Sequence, residues 1–177
     1  MKTRYKIMCM LVVALTGCAA TKPSLSGSGT QGNAAVNLTG EELQNQVNTV
    51  QKKLNDCIAK VNETDDAKFI NAHVLSLAPN NPNAKDLFKS TEKLSPEQAA
   101  VLARFKESTT ACRSISQEFP NPALVDIYAN FYKQIDAVYA DLLAKRITIG
   151  VANQERAMRI QYARSQWVET MKAQKGS

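Results

Sequence analysis

From Leu43 onward the apolar side chains fall at Val47, Val50, Leu54, Cys57 or Ile58, and Val61, separated by alternating intervals of three and four residues. An α-helix turns about 100° per residue, so this spacing gathers all of them on one face; an extended chain would scatter them over two. Gln, Asn and Lys fill the intervening positions and cover the opposite face. The pattern predicts a helix over 40–62. Its start is marked by Thr39 and Glu42, spaced as a capping box, with Leu38 and Leu43 set to staple across it.

The same logic recurs along the chain. A second helix is expected from Asp65 to Leu77, burying Phe69, Ile70, Val74 and Leu77, with Asp65 and Asp66 suited to the positive end of its dipole. Pro79-Asn80-Asn81-Pro82 ends it, because proline removes a donor and restricts the residue before it. A short helix over 84–92 follows, supported by Leu87 and Phe88. Ser95-Pro96-Glu97-Gln98 then combines an N-cap serine, proline at the first helical position and a closing glutamine. Leu102, Phe105, Thr109, Cys112, Ser116 and Phe119 continue that helix as one stripe to Pro120. Asn121-Pro122 restarts the chain, and Leu124, Tyr128, Phe131, Ile135, Val138, Tyr139 and Leu142 carry a helix to about Lys145. Thr148 is placed to cap a last helix through Lys172, with Met158, Tyr162 and Trp167 among its larger apolar groups. Gly150 falls in its first turn, where helix propensity matters least. No segment alternates with period two, and no Asn-Gly or Asp-Gly hairpin signal occurs. The expected fold is all-α: an antiparallel bundle of four long helices plus one or two short ones, forming a domain over 38–177.

The amino terminus carries a different message. Lys2, Arg4 and Lys6 precede a uniformly apolar run from Ile7 to Leu15. That run is much shorter than the ~20 residues of a membrane-spanning helix and reads as an export signal. It closes on Leu15-Thr16-Gly17-Cys18, which resembles the lipobox of bacterial lipoproteins. The resemblance implies a signal peptide over 1–17, cleavage before Cys18, a diacylglycerol thioether on Cys18, and acylation of the new amino group by a fatty acid such as palmitate. Ala19, where inner-membrane retention favours aspartate, is similar to the outer-membrane class. Two or more acyl chains anchor stably, whereas one binds only marginally. Residues 18–37 are rich in Ser, Gly, Thr and Asn and read as a flexible tether, with an average reach of about 25 Å.

Removing the first 17 of 177 residues leaves 160, a normal size for one domain. The formal charge of +6 falls to +3 once Lys2, Arg4 and Lys6 leave with the signal, so nucleic acid is not an expected partner. Of four cysteines, Cys9 lies in the signal and Cys18 takes lipid. Cys57 and Cys112 remain, both on apolar helical stripes. In an oxidising compartment such a pair forms a disulfide between two packed helices. The loop it closes stabilises the fold by roughly 4 kcal/mol on chain entropy.

Chemistry-bearing motifs are sparse. There is no GxSxG, no HExxH, no glycine-rich phosphate loop, and His73 is the single histidine, so no catalytic residue, metal ligand or cofactor is expected. The tract Leu143-Ala144-Lys145-Arg146-Ile147-Thr148-Ile149-Gly150, continuing through Asn153 to Arg156, resembles a turn-and-helix segment of uncharacterised helical envelope proteins, and that resemblance brings no activity. Between Lys145 and Arg164 five basic residues face one acid, Glu155. Arg156, Arg159 and Arg164, with Trp167 nearby, are of the residue types enriched at binding hot spots. The alternative is a solvated cationic face with Trp167 plugging the bundle. The expected function is a non-catalytic outer-membrane lipoprotein, held to the bilayer by acylated Cys18 and facing the periplasm. Its bundle would bind another envelope protein or an anionic cell-wall polymer. An inhibitor or immunity-like protein against a cell-wall-degrading enzyme is the alternative. A peptidoglycan hydrolase would need two carboxylates converging in one cleft.

Overall fold

The computed structural model describes residues 40–175. The export signal, Cys18, the tether, and the Thr39 and Leu38 contributions to the first helix start lie outside the described residues. Within them the chain is an all-α bundle of six helices, with no strand and one disulfide.

Helix α1 (Gly40–Asn62) buries Val47, Val50 and Leu54 from its apolar seam. Helix α2 (Asp65–His73) is capped by Thr64, whose hydroxyl accepts from the Ala67 N–H at 3.2 Å. It ends four residues before the expected Leu77. The N–H groups of Val74 and Leu75 both turn back to the Ile70 carbonyl, and the unwound chain sends both side chains into the core. Helix α3 (Ala84–Lys89) is one turn shorter than the sequence suggested. Helix α4 (Pro96–Arg113) starts with a complete capping box between Ser95 and Gln98, as expected. The stripe then continues through a tighter 3-10 segment, Ser114–Glu118, rather than one unbroken α-helix. The hydroxyls of Ser114 and Ser116 donate to carbonyls three residues back, a local competition that favours the tighter turn.

Helix α5 (Pro122–Leu143) is capped by the Asn121 side chain, which accepts from the Ala123 N–H at 2.8 Å. It closes in a Schellman arrangement: Lys145 N–H donates to Leu142 O and Arg146 N–H to Asp141 O. The left-handed position is filled by Lys145, at φ 56°, where glycine is usual. Helix α6 (Ile149–Lys175) is capped by the Thr148 hydroxyl, as expected, and ends three residues beyond the expected Lys172.

Two apolar clusters organise these elements. The larger joins Ile70, Val74, Leu75, Leu94, Leu102, Leu142 and Ile149. The smaller contains Val47, Val50, Phe119 and Leu124, with Trp167 and Met171 packed against it. Ile149 and Trp167 belong to opposite clusters. They are 18 residues apart on α6, about 27 Å at 1.5 Å per residue. The start of α1 therefore belongs to the Phe119 end, and the starts of α4 and α6 to the other. Cys57 and Cys112 join α1 to α4 with Cα atoms 5.7 Å apart. Among the described residues no helix is long and apolar enough to cross a membrane.

Candidate functional site

The end of the bundle that holds Ile149 contains the non-helical stretches 74–83 and 90–95, and buried backbone there needs partners that helices do not supply. Asparagines provide them. Asn153, 2% exposed on the first turns of α6, accepts from Ser76 N–H at 2.8 Å and donates to the carbonyls of Val74 and Ile149 at 2.8 and 2.9 Å. Asn71 accepts from the N–H groups of Leu77 and Ala78. Asn81 donates to Asn71 O and accepts from Asn83 N–H, while Asn83 donates to Ala72 O. Each amide satisfies groups that a continued α2 would have paired internally.

The second stretch lies against the N-terminus of α6. Gly150 N–H donates to Ser90 O at 3.0 Å, and Ile149 N–H to Glu92 O at 2.9 Å. Two orphan donors of the helix start are thus capped by main chain. A Cβ at position 150 would sit 2.5 Å from Ser90 O, so only glycine permits this approach. The freedom of Gly150 is spent on tertiary contact, which the first-turn reading of the sequence did not anticipate.

Between α2, α3 and the 90–92 segment lies an open depression of about 530 Å³. His73, Asp86, Lys89, Thr91, Glu92 and Gln98 are among its polar lining, and Ile149 and Leu87 among its apolar lining. The His73 ring packs on Phe69 with centroids 4.8 Å apart, and its carbonyl accepts from Gln98 Nε2. Asp86 and Glu92 enter one concavity, yet both are exposed. Among the described residues no cluster of three or more His, Cys, Asp or Glu side chains could hold a metal ion.

The basic segment of α6 is differently arranged. Arg156 is half-buried and donates to Ser76 O at 3.1 Å, so it also braces the 74–83 stretch. Arg159 pairs with Glu155 at 2.7 Å. Arg164 is exposed and lies five residues from Arg159, about 140° around the helix. The three guanidinium groups therefore do not share one face. Trp167 sits edge-on to Phe119 and Tyr128, with centroids 5.2 and 5.7 Å away, at the far end of the bundle from the depression. Met158 and Tyr162 turn outward, more than half exposed.

The strongest charge cluster lies between these ends. Arg113 makes a two-pronged contact with Asp136 at 2.6 and 2.9 Å and stacks over Tyr132, with Lys106 also near Asp136. Hydrogen bonding from Arg113 holds the Asp136 carboxyl below the usual aspartate range, against the effect of partial burial. Burial pushes the Tyr128 phenol up to about 12. Asp66, at the α2 start, is likewise lowered by its hydrogen bonds from Arg104. These pairs tie α4 to α5 and α2 to α4.

No family model matches the chain, and no curated protein or solved structure is significantly similar to it. The depression was not foreseen from the sequence, because its lining comes from four helices and the 90–92 segment, brought together only by tertiary folding. The one readable signal was the polar run Pro79-Asn80-Asn81-Pro82-Asn83, which marks a stop but not what the stop is built around.

Proposed function

We propose that this chain is a non-catalytic, lipid-anchored envelope protein whose antiparallel helical bundle binds another component of the envelope. The observation that carries the reading is the tetrapeptide Leu15-Thr16-Gly17-Cys18 after a short basic and apolar leader, with Cys18 as the acylated residue. The Cys57–Cys112 disulfide supports it, since such cross-links persist in oxidising compartments. The five-residue connection between α5 and α6 supports antiparallel packing of that pair. The depression is the first binding surface; the basic side of α6, with exposed Arg164 beside Arg159 and Arg156, is the second.

Metabolic labelling with a fatty acid tests the anchor. Cys18→Ala should abolish labelling and leave the protein uncleaved or soluble; undiminished labelling would sink the reading. For binding, the lipidated protein crosslinked in intact envelopes should yield one dominant partner, lost when the depression is altered by His73→Ala and Glu92→Ala together. If the arginine surface carries binding instead, replacing all three arginines with Gln should lose that partner and the depression variant should keep it.

A further inference from the structure

Helix α6 carries apolar groups on two faces. One closes the core through Ile149, Ala152, Trp167 and Met171. The other looks outward: the exposed large hydrophobic side chains of the described residues, Val151, Met158, Tyr162 and Val168, all lie on this helix. A surface helix normally gives its outward side to polar and charged groups. Here Val151, Gln154, Met158, Gln161, Ser165, Val168 and Lys172 recur at alternating intervals of three and four residues, and all seven are exposed. No charge interrupts that row before Lys172. Such spacing, kept over three heptads, is the a and d seam of a coiled coil, a period that keeps one stripe turned toward a partner helix. Gln154 is tied to α3 through the Phe88 carbonyl at 3.1 Å. The open part of the seam therefore runs from Met158 to Lys172, about 21 Å at the helical rise.

Charge on the flanks of the seam selects its occupant. With Val151, Met158, Ser165 and Lys172 at a, the e positions hold Glu155, Tyr162 and Glu169, and the g positions hold Gly150, Ala157, Arg164 and Met171. A parallel pair in register sets each g beside the e five residues further on in the other chain. That places Arg164 against Glu169 of the second copy, and the small Ala157 against Tyr162 of the second copy, each twice by symmetry. Arg164 and Glu169 are exposed, and neither joins an ion pair among the described residues. An antiparallel pair faces e to e and g to g, which joins no opposite charges here.

We propose that this face is a homodimer interface, in which α6 pairs in parallel and in register with α6 of a second copy of the chain. Met158 and Val168 then meet their own copies on the axis, and the Gln161 amide, donor and acceptor at once, hydrogen-bonds to its own. Ser165 and Lys172 at a positions cost stability, so the pairing is reversible. The dimer goes beyond the binding reading above and rests on neither the lipid anchor nor the depression.

The test is sedimentation velocity of the full, disulfide-bonded chain over a concentration series, combined with charge exchange on the flanks. The parent should dimerise reversibly. Arg164→Glu and Glu169→Arg should each weaken the dimer by about tenfold, because each sets like charges opposite one another, and the two together should restore it. Both side chains are exposed, so helicity and melting temperature should not change. Cysteine crosslinking reads the orientation and does not depend on those variants. Gln161→Cys and Lys172→Cys, eleven residues apart, should each join to their own copy under mild oxidation, whereas Ala129→Cys, exposed on α5, should not. An antiparallel pair can bring only one of the two seam positions to its own copy. The proposal is overturned if the parent stays monomeric up to about 1 mM, if either single exchange dimerises as well as the parent, or if the double exchange fails to restore pairing. It is also overturned if only one seam cysteine joins its copy, if Ala129→Cys crosslinks as readily as they do, or if the seam cysteines capture a different protein in crosslinked envelopes.

Discussion

The two ends of this bundle are held together by different physics. At the Phe119 end, Val47, Val50, Leu124, Trp167 and Met171 close the helices with apolar contact and edge-on aromatic rings. At the Ile149 end, an apolar core is overlaid by non-helical chain whose polar groups are answered one by one, through Asn71, Asn81, Asn83, Asn153 and Gly150. The first kind of closure tolerates sliding, because dispersion contacts are non-directional. The second fixes backbone geometry, since each amide bond has a preferred line. The concavity lies at the directional end, where a binding surface is best defined.

Perturbations of graded size can break that contrast or sharpen it. The largest effect is expected from replacing both Cys57 and Cys112 by Ala, which should lower stability by about 4 kcal/mol through the freed loop. The disulfide sits in α1 and α4, between the two ends, so chemical denaturation should still show one transition. Two separated transitions would mean that the ends are independent folding units. Asn153→Ala should follow at about 3 kcal/mol, because it strands the Ser76 N–H and the buried Val74 carbonyl and removes a buried side chain. Amide exchange should quicken over 74–78 and leave 119–128 unchanged; uniform quickening would erase the distinction drawn above.

A matched pair of smaller changes follows. Gly150→Ala and Trp167→Ala should each cost about 2 kcal/mol, the first by forcing Ser90 away and the second by emptying a half-buried aromatic site. Exchange should locate the damage at opposite ends. The mildest test is acid. The folded Asp136 carboxyl lies below the ordinary 3.8 through its bonds from Arg113, so the unfolded chain takes up its proton first as pH falls. The stabilisation is complete above 3.8 and lost as pH drops through the lower folded value. Asp136→Asn should flatten that part of the stability profile, measured by denaturant midpoint against pH.

Helices α1, α4, α5 and α6 were legible in the sequence because their information is local. Periodic apolar positions, the Ser95–Gln98 box, and the Asn121 and Thr148 caps act within four residues. The disulfide was legible because Cys57 and Cys112 both fall on apolar helical stripes, which brings them between packed helices. The end of α2 and the course of 90–95 were not. Their conformation is set by Asn153 acting on Val74 and Ser76, nearly eighty residues away, and by Gly150 acting on Ser90. Leu77 looked helical by period, yet tertiary hydrogen bonds outweighed it. The candidate site was therefore nearly invisible, while Arg156 and Trp167, conspicuous by type, turn out to brace a loop and an aromatic cluster.

Trp167 is the chain's single tryptophan, and its neighbours Phe119 and Tyr128 hold it in a half-shielded aromatic setting about 27 Å along α6 from Ile149. Nature has thus installed one intrinsic fluorophore, at the end remote from the depression. Its emission maximum will track the melting of that end and stay silent when the other end is occupied, which makes native fluorescence a reporter of structure and leaves ligand titrations to probes attached elsewhere.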